Sequence, residues 1–210
     1  LFGMALFALM QVRLGQVDGA TTQIVVMLTS IAYLPGVGLA LAGTTLVGQA
    51  IGAGDRDWAR RLGNSVIAVT TGYMGAVGVV LALLGPWVMP LFVSASDPQA
   101  ADVVQLGVVL LWIAAGYQLF DGLQLGSGFA LRGAGDVRVP AVIFFGLAWG
   151  VFVPLAHMLS FAPGEGWFDG LPQFGYGAVG GWFALLIYVV LLAGALHLRW
   201  RAQAWQKIRL

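Results

Sequence analysis

The sequence predicts an all-α fold: a polytopic transmembrane bundle of about six helices, the first of them truncated. Three observations predict it. The chain is 60% hydrophobic and only 9% charged, whereas a soluble domain carries roughly 25% charged residues. Five apolar stretches are each long enough to cross a hydrocarbon core, which takes about 20 helical residues. The basic residues fall almost entirely into alternate connectors, the pattern that loop charge imposes on membrane topology.

The elements follow in order. The run Leu1–Met10 precedes Gln11 and Arg13, and it is too short to span. It lacks the basic leading region and cleavage pattern of a signal peptide, so it reads as the end of a longer helix. Apolar spans are then expected at 21–51, 62–92, 101–131, 139–161 and 175–198. The connectors are 13–20, 52–61, 93–100, 132–138 and 162–174. Residues 1–198 thus form a transmembrane unit, and 199–210 a basic tail in which Trp200, Trp205 and Ile208 are spaced among cations. That spacing suits an amphipathic helix lying on anionic lipid.

Alternating the sides places Arg56, Arg60, Arg61, Arg132, Arg138, Arg199, Arg201, Lys207 and Arg209 on one side and only Arg13 on the other. Nine against one makes the first side cytoplasmic, carboxyl terminus included. Asp18, Asp97, Asp102, Glu165 and Asp169 fall on or just beyond the second side. A net charge of +1 supports no nucleic-acid partner, and the absence of Cys removes disulfides and thiol chemistry. His157 and His197 are far apart in sequence and read as helix-end or packing residues.

Glycines recur at packing intervals within the spans: Gly72, Gly75 and Gly78; Gly122 and Gly126; Gly146 and Gly150; Gly177 and Gly181. Small residues at such spacing let helices approach closely in lipid. Pro35, Pro86, Pro90 and Pro154 should bend spans or mark their ends. One short repeat, Gly52-Ala-Gly-Asp55 and Gly133-Ala-Gly-Asp136, closes two spans on the basic side. Glycine permits the left-handed residue that ends a helix, and aspartate can cap the next one.

One carboxylate stands out. Asp121 lies 11 residues before Arg132, where its span should end. At 1.5 Å per residue that is about 16 Å deep, close to the midplane. A charge there costs at least about 2.5–3.5 kcal/mol and marks a functional site by default. Tyr117, Gln118 and Gln124 share its helix face, which Gly128 continues. This polar face should point into the protein or into a watery cavity. Thr21, Thr22 and Gln23 open the preceding long span, and Thr44, Thr45 and Gln49 close it; such hydroxyls commonly bond their own helix. Phe145, Trp149 and Phe152 form an aromatic stripe that serves either as packing or as a wall for a flat organic cation.

Here the residues carry a resemblance. Pro35-Gly-Val-Gly-Leu-Ala with Val47-Gly-Gln-Ala-Ile-Gly-Ala-Gly-Asp55 resembles the second helix of a lobe in the MATE (multidrug and toxic compound extrusion) transporters. Leu131-Arg-Gly-Ala-Gly-Asp136-Val-Arg-Val-Pro140 is similar to the hallmark at the cytoplasmic end of that family's tenth helix. Tyr117-Gln-Leu-Phe-Asp121-Gly-Leu-Gln124 is similar to the segment bearing the cation-site acid in the NorM-type branch.

The resemblance covers essentially the whole chain. It implies the carboxyl-terminal lobe, helices seven to twelve, of a twelve-helix antiporter that exports drugs and organic cations against protons or sodium ions. It implies residence in a plasma membrane, the bacterial inner membrane, with the lipid bilayer and an amino-terminal lobe as partners. Asp121 would be the coupling acid, with Tyr117 and Gln124 beside it as possible ligands of a monovalent cation. Gln118, Phe145 and Trp149 would face amphipathic substrates.

One departure is visible. The NorM-type branch shares its site with a glutamate whose best match here is Gly3. A lone carboxylate makes a poor sodium cage, which favours the proton, and no other cofactor is implied. The alternatives are a lipid or oligosaccharide-lipid flippase of the same superfamily, expected to carry basic residues in its cavity, and a non-transporting structural subunit. An intramembrane enzyme would need a paired acid, a Ser-His pair or a His-rich metal set at one depth, and the spans hold only Asp121.

Overall fold

The computed structural model describes residues 2–94, 96, 98–168 and 170–207. Asp97 and Asp169 of the acidic side, and Ile208 and Arg209 of the tail, lie outside the described residues. The helices are α1 (Phe2–Leu14), α2 (Gln16–Gly52), α3 (Arg56–Val88), α4 (Ala100–Gly133), α5 (Arg138–Leu147), α6 (Val153–Ser160) and α7 (Gly177–Arg201). A π-helical turn, Ala148–Phe152, joins α5 to α6, and 3-10 turns occupy Met89–Phe92 and Ala204–Lys207. Five continuous helical stretches are long and apolar enough to cross a membrane: Gln16–Gly52, Arg56–Phe92, Ala100–Gly133, Arg138–Ser160 and Gly177–Arg201.

Helices α2 and α4 outrun their apolar stretches at both ends, because the backbone stays helical into the headgroup zone where side chains turn polar, whereas α7 opens at Gly177, inside the expected 175–198. The expected connector 13–20 shrinks to Gly15, at φ 150°. Gln16 and Asp18 instead open α2, and Asp18 Oδ1 accepts the N–H of Ala178 at 2.8 Å, capping α7 from across the bundle. Likewise 52–61 shrinks to 53–55, and Arg56–Arg61 form the first turns of α3.

The repeated Gly-Ala-Gly-Asp turns close in the same way. Asp55 N–H donates to Ala50 O at 3.0 Å and Asp136 N–H to Leu131 O at 2.9 Å. Gly54 and Gly135 take φ 82° and 78°, the left-handed step of a Schellman closure. The two aspartates then part ways. Asp55 caps α3, accepting Trp58 N–H at 2.8 Å. Asp136 caps nothing; it is buried and meets Arg199 Nε at 2.6 Å, so the capping expectation fails at this second turn. A cation from α7 reaches its carboxylate first, and a buried ionised group needs an opposite charge more than a helix N-terminus.

At the centre, α4 packs on α3, α2 and α7. Its seam with α3 depends on absent side chains: a Cβ at Gly122 would lie 2.8 Å from Thr70 O and 2.9 Å from Thr71 Cα. Gly75, Gly78, Gly126 and Gly181 are also packed against neighbours. The packing expectation fails at Gly72, Gly146 and Gly150, which have no neighbour within 4 Å of an added Cβ; Gly177 takes φ 58° at the start of α7, with Asp18 Oδ1 3.2 Å from an added Cβ.

Tertiary contacts gather the basic residues at one end. Trp200 of α7 donates its Nε1–H to Asn64 Oδ1 of α3 at 2.8 Å, and Arg199 pairs with Asp136 beyond α4. Arg13 sits at the other end, 5.9 Å from the Phe161 ring and 5.8 Å from that of Trp167. The tail departs from a lipid-facing amphipathic helix. Trp205 stacks on Trp200 at 5.0 Å and both are buried against the bundle, because Gly63 leaves a slot that the Trp200 ring fills.

Candidate functional site

A cavity of about 940 Å³ runs along α4, with walls from α1, α2, α4, α5, the π turn and α7. Asp121, Tyr117, Gln118, Gln124, Phe145 and Trp149 all line it. The polar stripe on α4 faces inward because its opposite side carries the small residues that seat α3.

Asp121 is only 6% exposed, and its Oδ2 has no hydrogen-bond partner. The Tyr117 phenol lies against the carboxyl from one turn earlier. Tyr33 of α2 and Tyr188 of α7 line the same cavity, so three helices supply phenols to it. Gln124 is half-buried on the cavity wall. Gln118 lines the cavity without exposing its polar end. It is fully buried, and its Nε2 donates to Thr29 O of α2 at 2.9 Å. Its polar end is spent joining two helices, while its Oε1 has no partner.

The aromatic stripe divides. Phe145 and Trp149 remain exposed at 66% and 42%. Phe152 is buried and stacks on Tyr188 at 5.1 Å. The π turn produces this division by shifting the helical register just before Pro154, whose missing N–H the wider turn accommodates. Gly3 also lines the cavity, and a Cβ there would stand 3.8 Å from Phe152 Cδ1, an ordinary contact that leaves the wall smooth.

The flanking hydroxyls behave in two ways. Thr29 and Ser30 bond their own helix, at Val26 O and Met27 O. Thr44 instead crosses to Phe129 O of α4 at 3.0 Å, and Thr22 joins a network with Gln11 and Trp182. The histidines pack structurally: His157 Nε2 accepts Trp167 N–H at 3.0 Å, and His197 Nδ1 lies 3.5 Å from Ser127 Oγ.

Sequence reasoning missed Tyr33, Tyr188, Trp182, Arg132 and Asp136, all of which line the cavity. A signal existed for the tyrosines, since membrane tyrosines concentrate at the interfaces and a mid-span one is displaced for a reason. Arg132 places a basic residue on the cavity wall. Its guanidinium lies 4.8 Å over the Phe129 ring at the basic end.

Long apolar helices around a walled, largely apolar cavity that holds a buried acid define an integral membrane domain. The family model described as MatE matches residues 1–158. Among similar proteins are those named probable multidrug resistance protein NorM. The one from Brucella suis is 31% identical over 189 residues, covering 90% of this chain and 38% of its own length. That from Mesorhizobium japonicum is 30% identical, covering 95% and 41%, and that from Pseudomonas syringae pv. tomato 34%, covering 94% and 40%. This chain belongs to the MATE family and is an integral membrane protein with an all-helical fold. It spans about two fifths of the length of the relatives it matches.

Proposed function

We propose that this chain is the carboxyl-terminal lobe of a cation-coupled antiporter that exports drugs and organic cations, with the proton favoured over sodium as coupling ion. The observation that carries the reading is Asp121: a carboxylate buried at mid-span, with a free oxygen, on the wall of an aromatic-lined cavity. Such a group has two ways to lose its desolvation cost. It can bind a proton, or it can pair with an organic cation whose rings lie on Tyr33, Phe145 and Trp149. The two compete for one carboxylate, and that competition is the coupling. An entering proton neutralises Asp121 and releases the cation; loss of the proton on the other side restores the site.

Sodium is the weaker reading, because a cage needs several oxygens and Asp121 is the sole carboxylate near mid-depth. Asp136, the other cavity-lining acid, is held by Arg199. The flippase reading gains Arg132 alone, and a phosphate headgroup calls for a cluster of basic groups. The basic end is cytoplasmic in this reading, the membrane is a bacterial inner membrane, and a second lobe supplies the opposite wall so that two bodies rock about the site.

The test is gradient-driven efflux by the full-length parent in proteoliposomes, with proton and sodium gradients imposed separately. Asp121→Asn keeps size and hydrogen bonding but removes titration. It should insert normally, bind substrate and lose gradient-driven efflux; wild-type efflux by this variant refutes the proposal.

A further inference from the structure

We infer that Thr22 and Trp182 form a positioning relay for the coupling carboxylate: they hold the Trp182 indole against Tyr117, and through it the Tyr117 phenol against Asp121. This inference rests on the reading of Asp121 given above. The chain of contacts starts at the acidic end of the bundle and crosses four helices. Gln11 of α1 is fully buried, and its Oε1 accepts the Thr22 hydroxyl of α2 at 3.4 Å. A threonine hydroxyl has one proton. With that proton given to Gln11, its lone pairs are left to accept, and the Trp182 Nε1–H of α7 donates to it at 3.3 Å. Trp182 is 1% exposed, so its N–H has no water to turn to.

The indole edge then meets the Tyr117 ring of α4, centroids 6.5 Å apart at 87°. Phe7 contacts the indole from another side, at 6.1 Å and 79°. Gln11 is closely packed, although its Nε2 has no hydrogen-bond partner. Its Nε2 occupies the space over Gly181 that a Cβ would need, beside Ser160 Oγ. The indole is therefore held beside the phenol by two polar groups, Gln11 and Thr22, neither of which is ionisable.

The titratable groups facing Asp121 are Tyr117 from its own helix, Tyr33 from α2 and Tyr188 from α7. Only the Tyr117 ring is in edge contact with Trp182 among these. The relay thus acts on how well one phenol supports the ionised carboxylate, and so on how readily Asp121 takes a proton.

The experiment uses the full-length parent in proteoliposomes and measures ethidium efflux as a function of external pH, alongside the amount of folded protein. Thr22→Val removes the acceptor while keeping the shape. Trp182→Phe keeps a ring but removes the donor. Each should lower the external proton concentration for half-maximal efflux by roughly threefold or more, the scale of one net hydrogen bond. Thr22→Ser should restore the wild-type profile.

A merely structural role would lower folded protein and maximal rate and leave the pH profile in place, and that result overturns the relay. A Thr22→Val shift that Thr22→Ser does not restore overturns it too. Should Thr22→Val fail to accumulate, Trp182→Phe decides alone. Asp121→Asn separates the two ideas: if it keeps gradient-driven efflux, the proposed function fails; if it loses efflux while Thr22→Val and Trp182→Phe keep the wild-type profile, only the relay fails.

Discussion

Consider Gly122→Ala, a change of one methyl group next to the buried carboxylate. The new Cβ would stand 2.8 Å from Thr70 O and 2.9 Å from Thr71 Cα. Both are backbone atoms of α3, which cannot rotate aside. The helices must part by several tenths of an ångström, and overpacking of this kind costs about 1–3 kcal/mol. Alanine returns up to about 1 kcal/mol of helix propensity, so the net loss should be about 1–2 kcal/mol. That is a factor of roughly 5–30 in the unfolding equilibrium. Gly146→Ala is the internal control, since no atom lies within 4 Å of its added Cβ; it should be neutral or slightly stabilising. The assay is reversible denaturant unfolding of the full-length parent in detergent, both variants side by side. Equal stability of the two would refute the claim that the α3–α4 seam is set by backbone contact.

Further outcomes are expected. Arg199→Met leaves Asp136 buried and unpaired; with Arg199 itself 24% exposed, the cost should be about 1–2 kcal/mol by the same unfolding assay, and Asp136→Asn in the same chain should recover most of it. Single cysteines at Asp57, Val137 and Ala202 should resist impermeant thiol reagents in intact cells, whereas one at Glu165 should label; the reverse pattern overturns the orientation. Residues 1–210 expressed alone should confer no drug resistance in a growth assay, because two lobes must rock about the site. Trp149→Ala should raise the KM for planar cations by about two- to fivefold, the worth of one exposed cation–π contact, with little change for non-aromatic cations.

The sequence by itself determined the membrane class, the number and order of the spans, and the stripe that carries Asp121. These are local properties. Hydropathy along a window and the 3.6-residue period do not depend on what the helix later meets, and the burial cost of a mid-span acid is paid wherever it points. The close of both Gly-Ala-Gly-Asp turns was legible for the same reason. Tertiary structure alone decided everything that needs a second helix. It brought Tyr33 and Tyr188 from α2 and α7 to Asp121. It tied Gln118 to Thr29 O and folded Trp200 and Trp205 inward. It also gave the two matching aspartates different partners, Trp58 N–H for Asp55 and Arg199 for Asp136. The physical reason is that a polar side chain in an apolar medium goes to whichever partner is nearest in space. With lipid on one side and another helix on the other, distance along the chain carries no information about which partner that will be.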